Sequence, residues 1–168
     1  YVGENFLRMM KNEDNSPNSI RKMVNILNRL LKIKNIDVNC HEGNFSILLF
    51  ACKSNEIDLV KSLLQHDQID VNSYLSEKGD TPLMISILCN HLEIAKLLIN
   101  FVKTNLNHKN YDDETALTIA AQKDIKEIVS LILNDDRFDP IESNINYAFY
   151  LSSFSVAQLL YNLKDLDV

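Results

Sequence analysis

Glycine and proline are scarce, at three each in 168 residues. So few glycines leave no Gly-rich phosphate cradle, and the chain contains no Gly-x-Ser-x-Gly or His-Glu-x-x-His. Basic charge is short too. Lys and Arg number 17 against 23 Asp and Glu, for a net charge of −6, whereas nucleic-acid binders neutralise phosphates with clustered Lys and Arg. No nucleic-acid partner is expected. The longest uninterrupted apolar run is Ile47 to Cys52, far below the ~18 residues of a bilayer-crossing helix, so a soluble chain without membrane insertion is expected. The opening Tyr-Val-Gly-Glu-Asn-Phe lacks the basic start and apolar run of a signal peptide. Cysteines are few, odd in number and widely spaced, at Cys40, Cys52 and Cys89. That suits thiols in a reducing compartment better than a disulfide framework, and a cytoplasmic (intracellular) location is expected.

What is present is a folding composition, 46% hydrophobic and 24% charged, with asparagine at scattered positions rather than in a tract. A repeat runs through it. "FSILLFACKSNEIDLVKSLL" (45–64), "TPLMISILCNHLEIAKLLIN" (81–100) and "ETALTIAAQKDIKEIVSLIL" (114–133) align with one another. A small residue recurs at Ala51, Ser86, Ala120 and Ala148, in steps of 35, 34 and a short 28. A closing motif recurs as "IDVN" (36–39 and 69–72), "TNLN" (104–107), "FDPI" (138–141) and a final "LDV".

Each copy reads as two short helices. Ser46, Thr81 or Thr115 is the N-cap of the first, where a hydroxyl accepts an orphan backbone N–H, and Pro82 stands at N1 of one copy. The second helix carries apolar stripes such as Leu59, Val60, Leu63 and Leu64, or Ile94, Leu97 and Leu98, read as buried. Helices this short are marginal alone in water, so stacking must stabilise them. The polar hinge between them holds Asn55, Asn90, Asp124 and Ser152. A helix commonly ends there in the left-handed conformation, which Gly adopts most easily and Asn or Asp next. Upstream, "SIRKMVNILNRLLKIKNIDVN" (19–39) shows a second-helix stripe of Met23, Ile26, Leu27, Leu30 and Leu31. "ENFLRMMKN" is expected to be its partner helix, the two together capping one end.

Gly79, Thr81, Pro82, Leu83, His91, Glu93, Ile94, Leu97 and Leu98 together resemble the ankyrin repeat, a helical pair of about 33 residues. Asp58, Leu59, Val60, Leu63 and Leu64 match the unit before, and Thr115, Leu117, Ala120, Ala121, Glu127, Ile128 and Val129 the unit after. The family's His in the Thr-Pro-Leu-His turn is replaced by Leu49, Met84, Thr118 and Asn146, and Asn44 and Asp113 stand at the turn-glycine place. The expected fold is therefore all-α, an ankyrin-type helix-turn-helix repeat solenoid with divergent end repeats. Its expected units are a divergent helical cap at 1–39, repeats at 40–73, 74–107 and 108–141, and a divergent or truncated repeat at 142–168.

Chemistry elsewhere is thin. His91-Leu92-Glu93 superficially matches the His-x-Glu of zinc deaminases, but the Pro-Cys-x-x-Cys that completes such a site is missing. Cys40-His41 and Cys52 lack tetrahedral ligand spacing, and Cys52 reads as a small buried thiol, Cys89 as an exposed one. The acidic clusters Asp112-Asp113-Glu114 and Asp135-Asp136 lack the alternating ligands of an EF-hand loop. No metal, cofactor or catalytic residue is expected.

The resemblance implies a protein-protein interaction module that holds its partner on the concave face made by turn tips and first helices. The non-consensus residues there are Glu42, Phe45, Lys53, Ser54, Tyr74, Glu77, Lys78, Asp80, Leu88, Cys89, Tyr111, Asp112, Glu114, Gln122 and Lys123, with Phe45, Tyr74, Leu88 and Tyr111 as candidate anchors. Two other readings stay open: a regulatory repeat region of a larger enzyme, channel or secreted effector, and an enzyme with an unfamiliar pocket. The chain starts without Met and stops at Leu166-Asp167-Val168, where earlier units run on. An excerpt of a longer repeat protein is expected, with self-association through an uncapped C-terminal repeat.

Overall fold

A computed structural model describes residues 16–33, 37–42, 45–74 and 76–163. Among them are nine helices and one two-stranded hairpin. Helix α1 (Pro17–Leu30) leads to strands β1 (His41–Glu42) and β2 (Phe45–Ser46), paired antiparallel. Four helical pairs follow: α2 (Ile47–Lys53) with α3 (Ile57–Leu64), α4 (Pro82–Leu88) with α5 (Leu92–Ile99), α6 (Ala116–Gln122) with α7 (Lys126–Leu133), and α8 (Ile145–Leu151) with α9 (Phe154–Leu163). First helices stack on first helices, α2 on α4 on α6 on α8, and second helices form a parallel row from α1 through α3, α5 and α7 to α9. The architecture is an all-α repeat solenoid.

The three expected N-caps form. Ser46, Thr81 and Thr115 side chains accept the backbone N–H of Leu49, Met84 and Thr118. Two of the residues replacing the family's histidine complete these caps: the Thr115 N–H donates to Thr118 Oγ1 at 2.7 Å, and the Thr81 N–H reaches Met84 Sδ at 3.4 Å. One link between units runs from the Thr115 hydroxyl to the Ser143 carbonyl at 3.0 Å.

Hinge geometry explains the asparagines. Asn55, Asn90 and Asp124 have φ of 58°, 60° and 56°, the left-handed region that costs most L-residues roughly 1–2 kcal/mol. The next N–H of each hinge closes onto the small residue's carbonyl: Glu56 on Ala51, His91 on Ser86 and Ile125 on Ala120, at 2.8–3.0 Å. This is a Schellman closure, which ties off orphan carbonyls and turns the chain at once into the second helix. Ser152 departs from the expectation: its φ of −81° and ψ of 154° are extended. There the hydroxyls do the work, Ser152 Oγ donating to the Phe149 carbonyl and Ser153 Oγ to Asp124 Oδ1. Asp113 does take the turn-glycine conformation, with φ of 59°. If these hinges need positive φ, Asn90→Gly should leave the urea midpoint unchanged or raise it, and Asn90→Ala should cost about 1 kcal/mol.

One continuous core runs from Met23 to Leu160. Ile94 and Leu98 are fully buried, as are Leu59, Val60 and Leu63, but Leu97 and Leu64 are only half-buried. The expected stripe was one residue too wide, because the back of each second helix meets solvent and not another layer. In α1, Met23 and Leu27 are buried while Leu30 and the C-cap Leu31 are half-buried and Ile26 is exposed. The expected helix in "ENFLRMMKN", Asn44 and the final "LDV" lie outside the described residues.

An asparagine ladder binds unit to unit. Asn39, Asn72 and Asn107 each bracket one residue of the following unit, Ile69, Thr104 and Phe138. Nδ2 donates to the carbonyls of Gln68, Lys103 and Arg137 at 2.6–2.8 Å, and Oδ1 accepts the N–H of Asp70, Asn105 and Asp139 at 2.7–2.9 Å. The closing motif is therefore the lateral seam of the stack. On the back, Lys61–Glu93 (3.7 Å) and Lys96–Glu127 (2.6 Å) pair across neighbouring second helices, exposed contacts worth little individually.

Candidate partner-binding face

The turn tips before α4 and α6 lock into one platform. The Tyr111 N–H donates to the Lys78 carbonyl at 2.8 Å, and His108 Nε2 lies 3.0 Å from the Gly79 carbonyl. The Tyr74 ring stacks on His108 with centroids 5.0 Å apart. Gly79 sits at φ +76° with the Tyr111 ring 3.0 Å from where a Cβ would be, so glycine there allows both the left-handed turn and the close approach of the ring. Lys78 and Asp112 pair across the tips at 3.0 Å, and the bond to Asp112 holds the Lys78 ammonium above its ordinary pKa.

The platform is organised by Asn110, which sequence reasoning missed. Its buried amide donates to Asp80 Oδ1 (2.8 Å) and Glu114 Oε2 (3.1 Å), and its Oδ1 accepts the N–H of Asp112 and Glu114. Ser76 fills the same place one unit earlier, its Oγ accepting the Asp80 N–H at 2.5 Å. A side-chain acceptor four residues before the acidic one was the available signal.

The predicted face residues separate accordingly. Tyr74, Glu77, Lys78, Tyr111 and Asp112 are exposed together on the platform, with Glu114 half-buried beside them. Lys53, Leu88 and Gln122 form an exposed stripe along the first helices, and Cys89 and Lys123 are exposed at the hinges with Ser54 half-buried. Asp80 departs from the expectation: at 3% exposure it faces inward as the acceptor for Asn110, so the tip needs it more than a partner could. Glu42 and Phe45 lie in the first hairpin, and their side chains lie outside the described ones. Sequence reasoning also missed Tyr150, the counterpart of Lys53, Leu88 and Gln122 at the far end of the stripe, which is 83% exposed.

His91 and Glu93, weighed for metal chemistry, have other partners. His91 Nδ1 lies 2.8 Å from the Cys52 carbonyl, and Glu93 faces Lys61. Cys52 is buried and its thiol is pushed up to about 12 by that burial, Cys89 is exposed, and no disulfide joins the cysteines. A cleft of about 380 Å³ beside α1 is lined by Ile20, Arg21, Val24, Asn25, Ser54 and Glu56. Burial, with Asp58 nearby, raises the Glu56 carboxyl. Among the described residues no helix is long and apolar enough to cross a membrane.

A family model for ankyrin repeats (3 copies) matches residues 19–110 and again 68–146. An ankyrin repeat protein of Acanthamoeba polyphaga mimivirus is 28% identical over 117 residues, which cover 69% of this chain and 15% of that protein. The ankyrin repeat and KH domain-containing protein mask of Drosophila melanogaster is 38% identical over 89 residues, covering 52% of this chain and 2% of that one. The chain thus spans a small part of the length of either relative.

Proposed function

We propose that this chain, which belongs to the ankyrin repeat family, captures a protein partner on the platform of its two tips and on the first-helix stripe beside it. Ankyrin repeats are generally protein-protein interaction modules, and the reading needs no catalysis. The observation that carries it is the pair of tips fixed by backbone and buried side-chain bonds while Tyr74 and Tyr111 remain 53% and 71% exposed. Rigid aromatic anchors lose little entropy on binding. The units read for the chain, repeats at 40–73, 74–107 and 108–141 between end units 1–39 and 142–168, give a partner the tips that precede α4 and α6 to grip.

Changing Tyr111 and Asp112 together to Ala should weaken capture of partners from the source cell and leave the melting curve nearly unchanged. The fold keeps the Tyr111–Lys78 bond between the tips through its backbone atoms. Equal capture by the double variant, with charge reversal at Lys61 on the back as control, removes the tips from the site.

A regulatory role within a larger protein is the second reading, favoured by the chain's covering only 15% and 2% of its relatives. An exposed Cys89 thiol accords with a reducing, cytoplasmic setting. Self-association through α8 and α9 is a further part of this proposal.

A further inference from the structure

The two tips of the platform carry half of the chain's net charge. Residues 73–80 and 107–114 hold five carboxylates against two lysines, a net of −3 out of −6. These charges are not equally free. Asp80 is buried on the Asn110 amide, Glu114 is half-buried on the same amide, and Asp112 is held by Lys78 at 3.0 Å. Glu77 and Asp113 are exposed and pair with no cation among the described residues, and Lys109 is the one tip lysine outside an ion pair.

In the same tips stand two aromatic rings that are held in place and still open. Tyr74 stacks on His108, the Tyr111 ring lies over Gly79, and both rings remain exposed. The face of a tyrosine ring is electron-rich and attracts a cation, so rings and carboxylates select the same chemistry. The first-helix stripe beside them has the opposite sign. Its exposed charges are Lys53 and, at a hinge, Lys123, while Asp124 at that hinge is taken up by the Ser153 and Ser155 hydroxyls. A basic segment is therefore drawn to the tips and not along the stripe.

We propose, resting on the platform reading above, that the captured partner presents an arginine-rich basic segment, whose guanidinium groups stack on Tyr74 and Tyr111 and pair with Glu77 and Asp113. Arginine suits these tips better than lysine. Its planar guanidinium lies flat on a ring while its N–H fork reaches a carboxylate, and it gives up water more readily than a compact, strongly hydrated ammonium. The buried Asn110 network fixes the tips before the partner arrives, so little ordering of the platform is left to oppose binding.

Fluorescence anisotropy of a labelled oligoarginine peptide titrated with this chain tests it, with oligolysine and oligoglutamate peptides of the same length alongside. Oligoarginine should bind and weaken with added salt, oligolysine should bind a few-fold less tightly, and oligoglutamate should not bind. Glu77→Gln with Asp113→Asn should weaken oligoarginine binding about tenfold with an unchanged helical spectrum, since asparagine tolerates the left-handed φ of Asp113. Tyr74→Leu with Tyr111→Leu, which keeps apolar bulk and removes the rings, should weaken it about tenfold as well. Glu93→Gln with Glu127→Gln removes the same charge from the back of the stack and should change binding less than about twofold. Equal losses from the tip and back pairs would mean general attraction to an acidic chain and overturn the proposal. Oligolysine binding as tightly as oligoarginine overturns the stacking. If oligoarginine does not bind while Tyr111→Ala with Asp112→Ala still loses partner capture, the basic partner is overturned and the platform reading stands. If that double variant captures as well as the parent, the platform reading falls and the basic partner with it.

Discussion

Leu98→Ala is expected to destabilise the fold by about 2–5 kcal/mol, seen as a lower urea midpoint at an unchanged slope. Leu98 is fully buried, and the residues in its register, Leu63, Ile132 and Leu160, are buried as well. It lies in the seam where α5 meets its own first helix and the second helices on either side. Truncation loses both the transfer energy of the removed methyls and the contacts around the cavity left behind, because close-packed neighbours collapse only partly. In a solenoid each unit leans only on its neighbours, so a hole in a central unit uncouples both sides of the stack. Against a total of about 5–15 kcal/mol for an ordinary domain, the loss is large. Leu97→Ala, one residue along and half in solvent, should cost distinctly less. Lys123→Ala, exposed at a hinge, should stay within about 0.5 kcal/mol of the parent. Equal costs for Leu97 and Leu98 would mean that the back of α5 is covered.

The adjacent leucines show what a single sequence yields. Apolar spacing identifies a helix and roughly which side is buried, but the width of the buried stripe depends on how many layers cover it. A two-row stack covers less than a globular core, and Leu97 is where that difference falls. Local chemistry reads best: hydroxyl caps at Ser46, Thr81 and Thr115, and left-handed closures at Asn55, Asn90 and Asp124, depend on few neighbours in sequence. Ser152 shows the limit, because its hinge answers to Asp124 in the unit before.

The candidate site was half legible for the same reason. Register alone places Tyr74, Leu88, Tyr111 and Gln122 on tips and first helices. That Asp80 turns inward depends on Asn110, thirty residues away in the next tip, and no periodicity reports such a bond. The repeated asparagine of the closing motif was visible as a pattern. Its function as a lateral clamp appears only once the units are side by side. Tyr147, Tyr150 and Tyr161 were passed over because the last unit departs from its siblings and was read only as a divergent or truncated repeat.

Arg137→Ala is expected to cost about 1.5–3 kcal/mol, the range for hydrogen bonds that involve a charged group, and to flatten part of the acid limb of stability. The guanidinium closes the C-terminal end of α5. Its Nη1 donates to the carbonyls of Phe101 (2.8 Å) and Thr104 (3.2 Å), and Nη2 to that of Ile99. Helix-end carbonyls are otherwise orphaned and carry the negative end of the helix dipole, so a cation there satisfies both needs. On its other side Asp135 grips the fork, with Nε–Oδ1 at 2.8 Å and Nη2–Oδ2 at 2.6 Å. The side chains are 29% and 21% exposed, sheltered enough for the pair to count and wet enough to keep the figure modest. The side-chain bond from Arg137 holds the Asp135 carboxyl below its ordinary pKa. A depressed folded value means stability that is fully present above the unfolded pKa of about 3.9 and is lost as pH falls through the folded value. The parent should therefore lose this increment on acidification, while Arg137→Ala, lacking it at every pH, should show a shallower fall. Arg137→Lys should recover only part of it, since an ammonium cannot fork between a carboxylate and three carbonyls. Lys103, at the same register one unit earlier, donates to the Asp67 carbonyl alone. Melting temperatures of the three proteins from pH 7 to about pH 3 decide the matter, and parallel curves would remove Asp135 and Arg137 from the acid response.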